Sequence, residues 1–209
     1  MARLARAGAD VEVLSVFAGD PESQEPANGW DRRGGFETAG AAAAARRAEN
    51  KAACRIVGVR ESALRFTGAG YGGQREPEEI WRAVAKRVNG ANGVLIPGFP
   101  LTNDDHAWLH ELLLGQRPPR VRIGLYAEQP YRYMDGRDPP PRLERPRPLP
   151  LDWKHPARVR DLPLKRRAIL AYESQLPLLG LAAHGHRKLH RMLLHEVVHG
   201  GEAIAWLPS

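Results

Sequence analysis

Residues 94–106 read VLIPGFPLTNDDH, and they contain the transition that decides the fold. The apolar run 94–97 is typical of a short buried strand, and the pattern of residues 104–114 predicts a helix. The side chains of residues 102–105 can cap that helix, because Thr, Asn and Asp oxygens accept the unpaired N–H groups of a first turn. In an open α/β sheet such a loop lies outside the carboxyl end of a strand, where ligands bind.

Strands and helices alternate on both sides of this segment. The predicted strands are residues 11–17, 63–66, 94–97, 121–126 and 202–207, and the predicted helices are 2–7, 39–57, 78–88, 104–114, 164–176 and 186–198. This alternation favours an α/β fold with a mostly parallel sheet and flanking helices. The chain starts inside a helix that feeds a strand, so we expect the first strand of a βαβ unit to be absent. We therefore expect one domain over 1–209, truncated at its amino terminus, with residues 130–163 as a Pro- and Arg-rich loop excursion within it.

The composition excludes several classes of protein. The 209 residues carry a formal net charge of +7 and a single cysteine, Cys54. One cysteine excludes an intramolecular disulfide framework and the Cys-rich zinc modules, and it favours a reducing cytoplasm. The sequence has no apolar run of about 18 residues and no signal-peptide pattern, so we expect neither a membrane span nor secretion. The basic residues lack interleaved aromatic residues, which favours a solvated surface over a nucleic-acid partner.

Two motifs have the letters of known sites without their context. The segment HEVVH at residues 195–199 places two histidines one helical turn apart with a glutamate between them, as in zinc proteases. No histidine follows at the spacing of a third ligand, so a metalloprotease is the less favoured alternative. Residues 68–73 (GAGYGG) match a dinucleotide-binding fingerprint. A helix should open at the last glycine and an acidic residue should follow about 20 residues later, and because neither does, a glycine-rich loop is preferred.

The polar segment 103–106 is the strongest candidate for a site. An aspartate beside a histidine, Asp105 and His106, suits metal binding because a carboxylate can orient the imidazole. The alternative is a helix cap followed by an exposed histidine. His110 lies one turn further on, either as a second ligand or only as a residue of the same helix face.

Six stretches of the chain, taken in order, resemble the PIG-L/LmbE family of zinc-dependent N-acetylglucosaminyl deacetylases. They are residues 13–20 (VLSVFAGD), 29–36 (GWDRRGGF), 46–58 (RRAENKAACRIVG), 103–106 (NDDH), 171–175 (AYESQ) and 200–207 (GGEAIAWL). The resemblance implies a Rossmann-like fold with a Zn²⁺ cofactor at the carboxyl edge of the sheet. It also implies a hydrolase that removes the acetyl group from an amino sugar.

The resemblance assigns catalytic and metal roles to three residues of the loop and the helix that follows it. His106 matches the third zinc ligand of the family, and Asp105 matches the acidic residue before it. Asn103 matches the position from which the tetrahedral oxyanion is stabilised. An asparagine there can donate a hydrogen bond but cannot act as an acid.

The resemblance assigns substrate contacts to two other segments. Arg46 and Glu49 match an Arg-x-x-Glu helix whose arginine contacts sugar or phosphate, and their spacing lets them pair on one helix face. Tyr172, Ser174 and Gln175 match a segment near the site. The implied substrate-binding residues are therefore Arg46, Tyr172 and Gln175.

The sequence departs from the family at its amino-terminal end. The His-Pro-Asp-Asp loop, which supplies two zinc ligands and the general base, does not occur in these 209 residues. A catalytic zinc needs about three protein ligands, so we expect the 209-residue chain to be inactive as a hydrolase. Three explanations stay open: a start assigned too late, a truncated gene, or a non-catalytic Rossmann-like module that binds a sugar or phosphate. A start assigned too late is the favoured explanation, because Met1 falls inside a predicted helix. The expected partner of the protein is a small amino-sugar or N-acyl substrate.

Overall fold

The computed structural model describes residues 1–209 except 73, 117–119, 145–147, 156–158, 200–201 and 209. The helices are α1 (Ala2–Arg6), α2 (Gly29–Arg33), α3 (Ala39–Val57), α4 (Pro77–Val88), α5 (Asp104–Gly115), α6 (Tyr131–Asp135), α7 (Leu162–Leu170) and α8 (Ala183–Val198). The strands are β1 (Glu12–Ser15), β2 (Arg60–Ala63), β3 (Gly93–Phe99), β4 (Arg122–Ala127), β5 (Arg142–Leu143), β6 (Leu149–Pro150) and β7 (Ile204–Trp206). The chain groups into two compact units, residues 1–74 with 158–194 and residues 75–157 with 195–209.

The first unit is organised around α3, the longest helix. It begins at a cap in which the Thr38 hydroxyl accepts the N–H of Ala41 at 3.1 Å. It ends at Gly58, whose φ of 74° is a left-handed conformation that glycine adopts at little cost. Its buried face is made of small residues, among them Ala42 and Ala43. Small side chains let α3 pack closely against the parallel pair β1–β2 and against α7.

The second unit contains a three-stranded sheet in the order β3-β4-β7. β3 and β4 are parallel, and β7 is antiparallel to β4. Buried Ile96, Ile123 and Leu125 belong to β3 and β4 and form the apolar centre of this unit. Because the two strands are parallel neighbours, the residues that follow each of them begin at the same edge of the sheet.

The α/β class, with parallel strand pairs and flanking helices, is confirmed. The ends of several elements differ from the sequence prediction. The strand expected at residues 63–66 lies earlier in the chain, as β2. Its pairing with β1 begins where Arg60 lies opposite Glu12. Of the residues expected in that strand after β2, Arg65 forms an isolated bridge to Phe17. The helix expected at 164–176 is shorter and ends at Leu170.

The last helix also begins differently from the prediction of residues 186–198. His184, Gly185 and His186 have φ values of 51°, 63° and 63°, so regular helix starts after them. Part of the predicted 130–163 excursion has regular structure, namely α6 and the antiparallel pair β5–β6. Residues 145–147 and 156–158 of it lie outside the described part of the chain. No helix within the described residues has both the length and the apolar character needed to cross a membrane.

Candidate functional site

The loop between β3 and α5 places Asn103 at the start of the helix. The Asn103 side-chain oxygen accepts the N–H of Asp105 at 2.9 Å and that of His106 at 3.2 Å. Its amide nitrogen lies 3.5 Å from the hydroxyl oxygen of Tyr131. The predicted cap is therefore confirmed, and it fixes His106 on the first turn of α5. The side-chain oxygen of Asn103 is therefore engaged twice, and its amide nitrogen keeps a second N–H for another acceptor.

His106 is held by a buried carboxylate from the neighbouring strand. The Nδ1 atom of His106 hydrogen-bonds to Oε2 of Glu128, which directly follows β4. The other carboxylate oxygen, Oε1, accepts the N–H of Leu101 at 3.3 Å. Glu128 is 3% exposed, whereas the His106 side chain is 37% exposed. With Nδ1 engaged by Glu128, Nε2 is the ring nitrogen that His106 has for another partner.

Leu101 has an uncommon backbone conformation at this point. Its φ is 59°, in the left-handed region that side chains other than glycine rarely adopt. The hydrogen bond from its N–H to Glu128 stabilises this turn. Strained backbone of this kind is concentrated at functional sites, so the edge of β3 and β4 is a candidate for one.

Asp105 is engaged by a cation. Its carboxylate forms an ion pair with the Arg75 guanidinium, and Arg75 also lies over the Trp108 ring at 5.3 Å from its centroid. Arg75 and Asp105 are mostly covered, with side-chain exposures of 14% and 25%. The negative charge of Asp105 is therefore balanced within the protein.

The described residues do not fit a complete zinc centre. His106 alone resembles a metal ligand, since an imidazole oriented by a carboxylate is the usual arrangement. Asp105 is paired with Arg75, and no group of three His, Cys, Asp or Glu side chains in the described ranges could hold a metal. His110 is buried, with its Nδ1 at 2.7 Å from the carbonyl oxygen of Pro97, so it belongs to the core and not to a ligand set.

In the first unit, Arg46 is bound to a buried carboxylate. Asp31 is 1% exposed and accepts hydrogen bonds from the Arg46 guanidinium and from the Tyr71 hydroxyl. Burial and the hydrogen bond to Asp31 raise the pKa of Tyr71. The sequence allowed Arg46 to pair with Glu49, but the structure gives each of them a different partner.

The partner of Glu49 is the predicted segment 171–175. Its carboxylate accepts the N–H of Ser174 at 2.6 Å and the hydroxyl of Ser174 at 2.9 Å. The hydroxyl of Tyr172 donates to Asn50 at 2.8 Å. The structure thus brings together Arg46, Glu49 and the 171–175 segment around α3, each through protein partners.

A pH dependence of stability is expected from Tyr172. Burial is the main cause that raises the pKa of Tyr172 to about 12, with smaller contributions from Cys54 and Glu49. Because the unfolded pKa is about 10, this phenol stabilises the fold below about pH 10 and loses that contribution as pH rises to about 12. Tyr172→Phe should therefore flatten the fall in unfolding free energy over this range, measured by urea titration. It should also cost about 1 kcal/mol at neutral pH, through the lost hydrogen bond to Asn50.

The matched control for Tyr172→Phe is Tyr133→Phe in the second unit. This control removes a hydroxyl from a tyrosine that contacts the His195 ring edge-on. Because it removes a phenol from another part of the chain, it shows whether a flattened curve is specific to position 172. If unfolding free energy falls with pH equally steeply in Tyr172→Phe and the wild type, then unfolding does not change the pKa of Tyr172, and the prediction is wrong.

The two motifs set aside in the sequence have structural roles. The His195 and His199 rings stack at 4.0 Å, and Glu196 between them is 1% exposed. Burial is the main cause that lowers the pKa of His195.

In the glycine-rich motif, residues 69–71 form one short 3-10 turn, not the start of a helix, and Gly73 lies outside the described residues. The glycine-rich loop interpretation agrees with this, because a pyrophosphate site needs a helix opening at the motif.

Sequence reasoning missed several residues that the structure places at these sites, namely Glu128, Tyr131, Asp31 and Trp30. Glu128 had a usable signal, because it lies two residues after the predicted strand 121–126 and directly follows β4. Asp31 and Trp30 lie within a stretch quoted for the resemblance, but nothing local marks their partners.

Comparison with known proteins defines a fold class. No family model matches the chain, and no curated protein matches it. Solved structures do match, and they have the deacetylase fold that the resemblance implied. At 20–23% sequence identity this similarity establishes the fold.

Three of these solved structures are deacetylases. One is a triple mutant of a deacetylase from the teicoplanin biosynthetic pathway, with a TM-score of 0.78, 23% identity, and 99% of this chain aligned to 89% of that chain. A second is the zinc-inhibited form of teicoplanin deacetylase, with a TM-score of 0.78, 20% identity, and coverages of 99% and 90%. A third is an antimicrobial pseudoaglycone deacetylase, with a TM-score of 0.75, 23% identity, and coverages of 99% and 88%.

Proposed function

We propose that the protein is of the N-deacetylase type and binds an N-acyl amino sugar, with a hydrolytic centre that the described residues leave incomplete. The observation that carries this proposal is the His106–Glu128 pair at the adjacent ends of β3 and β4. In an open α/β sheet that edge is where substrates bind. The deacetylase fold and the small-molecule complexes among its structural neighbours support the substrate class.

Each residue of the second-unit cluster has a distinct part in this proposal. Glu128 orients the His106 ring so that Nε2 is presented at the site. The amide nitrogen of Asn103 can donate to the acyl oxygen of a substrate, which polarises the carbonyl group. Asp105 and Arg75 act as a balanced pair that shapes the rim, since neither charge is left uncompensated.

Hydrolysis needs more than these residues supply. An amide is attacked readily only by an activated water. An isolated imidazole activates water weakly, whereas a bound metal ion activates it strongly. A zinc ion would require two further ligands beside His106, and the described residues do not place them there. We therefore assign binding to the 209-residue chain and no turnover of its own.

Two other candidate functions are disfavoured by specific contacts. A phosphate site at Arg46 is opposed by Asp31, whose buried carboxylate already neutralises that guanidinium. A protease built on residues 195–199 is opposed by the burial of Glu196, since a general base must reach a metal-bound water.

The test combines binding, zinc content and acetate release. The purified 209-residue chain should bind methyl N-acetyl-β-glucosaminide saturably in isothermal titration. It should retain well under about one zinc per chain after dialysis, and it should release no acetate above a zinc-only blank. His106→Ala should leave the zinc content unchanged.

Two results would contradict the proposal in different ways. Acetate release that His106→Ala abolishes would show that the chain holds a complete hydrolytic centre, and the assignment of binding alone would be wrong. Failure to bind any N-acetylated hexosamine at millimolar concentration would remove the substrate class itself.

A further inference from the structure

The residues nominated for sugar contact in the first unit are already bound to protein groups. Arg46 is paired with Asp31, and Tyr172 donates to Asn50. The side-chain oxygen of Gln175 accepts the indole N–H of Trp30 at 3.2 Å, and its nitrogen donates to Ser174 at 3.0 Å. Both ends of the Gln175 amide are therefore occupied, and one of them holds the side chain of Trp30.

That side chain, Trp30, is an exposed aromatic residue in a fixed orientation. It lies in α2 and is 37% exposed, so part of its ring surface faces solvent. The Arg33 guanidinium lies over its ring, with Cζ 5.1 Å from the ring centroid. The Arg33 cation over the indole ring and the hydrogen bond from the indole N–H to Gln175 together restrict the rotation of the Trp30 side chain.

The backbone under Trp30 is also fixed. The side chain of Asn28 caps α2 by accepting the N–H of Asp31 at 2.9 Å. The next residue after Trp30 is the buried Asp31, which is tied to Arg46 and to Tyr71. A helix of only five residues has little stability of its own, so these contacts are what hold it in place.

On the other side, Gln175 is fixed by a second chain of contacts. Its amide nitrogen donates to the Ser174 hydroxyl, and Ser174 is held by two hydrogen bonds to Glu49 of α3. Trp30, Gln175 and Ser174 thus form a continuous hydrogen-bonded path to the longest helix of the unit. A path of this kind places an aromatic surface accurately before any ligand arrives, which lowers the cost of binding.

We propose that Trp30 is a carbohydrate-stacking residue and that Gln175 is its positioning residue. The faces of an indole ring are electron-rich, so they attract the polarised C–H bonds on one face of a pyranose ring. The ligand class is a pyranose whose ring lies against the exposed indole surface, and its hydroxyl groups remain in water. This inference rests on the proposed function for the choice of an amino sugar, and it concerns a sugar contact made within the first unit alone, at a residue to which the resemblance assigns no role.

The test for Trp30 uses the complete 209-residue chain and methyl N-acetyl-β-glucosaminide as the probe. Trp30→Ala should weaken the dissociation constant in isothermal titration by about tenfold, because aromatic anchors carry a large share of binding energy. Trp30→Phe keeps a ring but loses the N–H bond to Gln175, so it should lose about threefold. The matched control is Trp81→Phe on α4, which should bind like the wild type.

The test for Gln175 separates positioning from direct contact. Gln175→Glu keeps an oxygen that accepts the indole N–H but loses the donor to Ser174, so binding should weaken by about twofold, less than in the variant that removes both groups. Gln175→Leu removes that acceptor and should weaken binding by about fivefold, with narrower fluorine lines from 5-fluorotryptophan at position 30 as its ring becomes more mobile. Equal losses in the two variants would show that Gln175 contacts the sugar itself, and the positioning role would be wrong.

Failure of this inference can be told apart from failure of the proposed function. Wild-type binding that Trp30→Ala leaves within about twofold would overturn the stacking role while the proposed function stands. Binding of methyl β-glucoside that depends on Trp30, with no preference for the N-acetylated sugar, would keep the stacking role and remove the proposed substrate class.

Discussion

Replacing Glu128 with glutamine is expected to reverse the tautomer of His106. In the native protein the Nδ1 proton of His106 is donated to Oε2 of Glu128, while Oε1 accepts the N–H of Leu101. A glutamine must keep its oxygen toward Leu101, because an NH₂ group there would face another donor. Its NH₂ group then faces Nδ1, which has to accept, and the ring proton moves to Nε2. His106 would lose the lone pair that it presents at the site.

Nitrogen-15 correlation spectra of the imidazole groups measure this change directly. The His106 signals should show a protonated Nδ1 in the native protein and a protonated Nε2 in Glu128→Gln. An unchanged pattern would mean that Glu128 does not set the ring tautomer.

The same carboxylate should have a large effect on stability. Glu128→Ala leaves the part-buried Nδ1 of His106 and the part-buried N–H of Leu101 without their acceptor and opens a cavity where a buried side chain was, so it should cost about 2 kcal/mol in urea unfolding. The control is Glu78→Ala, an exposed position in the first turn of α4 in the same unit, which should cost well under about 1 kcal/mol. Equal costs for the two variants would show that the burial of Glu128 contributes nothing.

The segment 94–106 shows what local sequence can predict. Its strand, its turn and the Asn103 cap depend on residues within a few positions of one another, and the structure contains all three. The capped end of α3 at Gly58 was predictable for the same reason. Local signals of this kind indicate where a site begins, because the carboxyl end of a strand is visible in the apolar pattern.

The partners at these sites could not be predicted from local signals. Glu128 lies 22 positions from His106, and Gln175 lies 145 positions from Trp30. No spacing rule connects residues so far apart, since their contact depends on the packing of whole elements. The catalytic, metal and substrate roles assigned to Asn103, Asp105 and His106, and to Arg46, Tyr172 and Gln175, stay predictions. The structure gives each of these six residues a protein partner.

Replacing Asp31 with alanine is expected to be among the most destabilising single changes in the first unit. Asp31 is 1% exposed and accepts from both Arg46 and Tyr71. Alanine would leave the Arg46 guanidinium without its counter-charge and the Tyr71 hydroxyl without an acceptor. A fully buried pair broken in this way costs about 3–5 kcal/mol. The Arg46 side chain is 32% exposed, so solvent screening reduces the expected loss to about 3 kcal/mol.

A double substitution separates the lost charge balance from lost packing. Changing Asp31 to leucine and Arg46 to methionine removes both charges together, so this pair should be more stable than Asp31→Ala alone by about 1 kcal/mol or more. Asp10→Ala, which breaks an exposed pair with Arg60, is the control and should have a much smaller effect than Asp31→Ala. Urea unfolding would measure all three chains. If the double variant is the least stable, then the apolar contacts of these side chains, not the balance of their charges, hold α2 against α3.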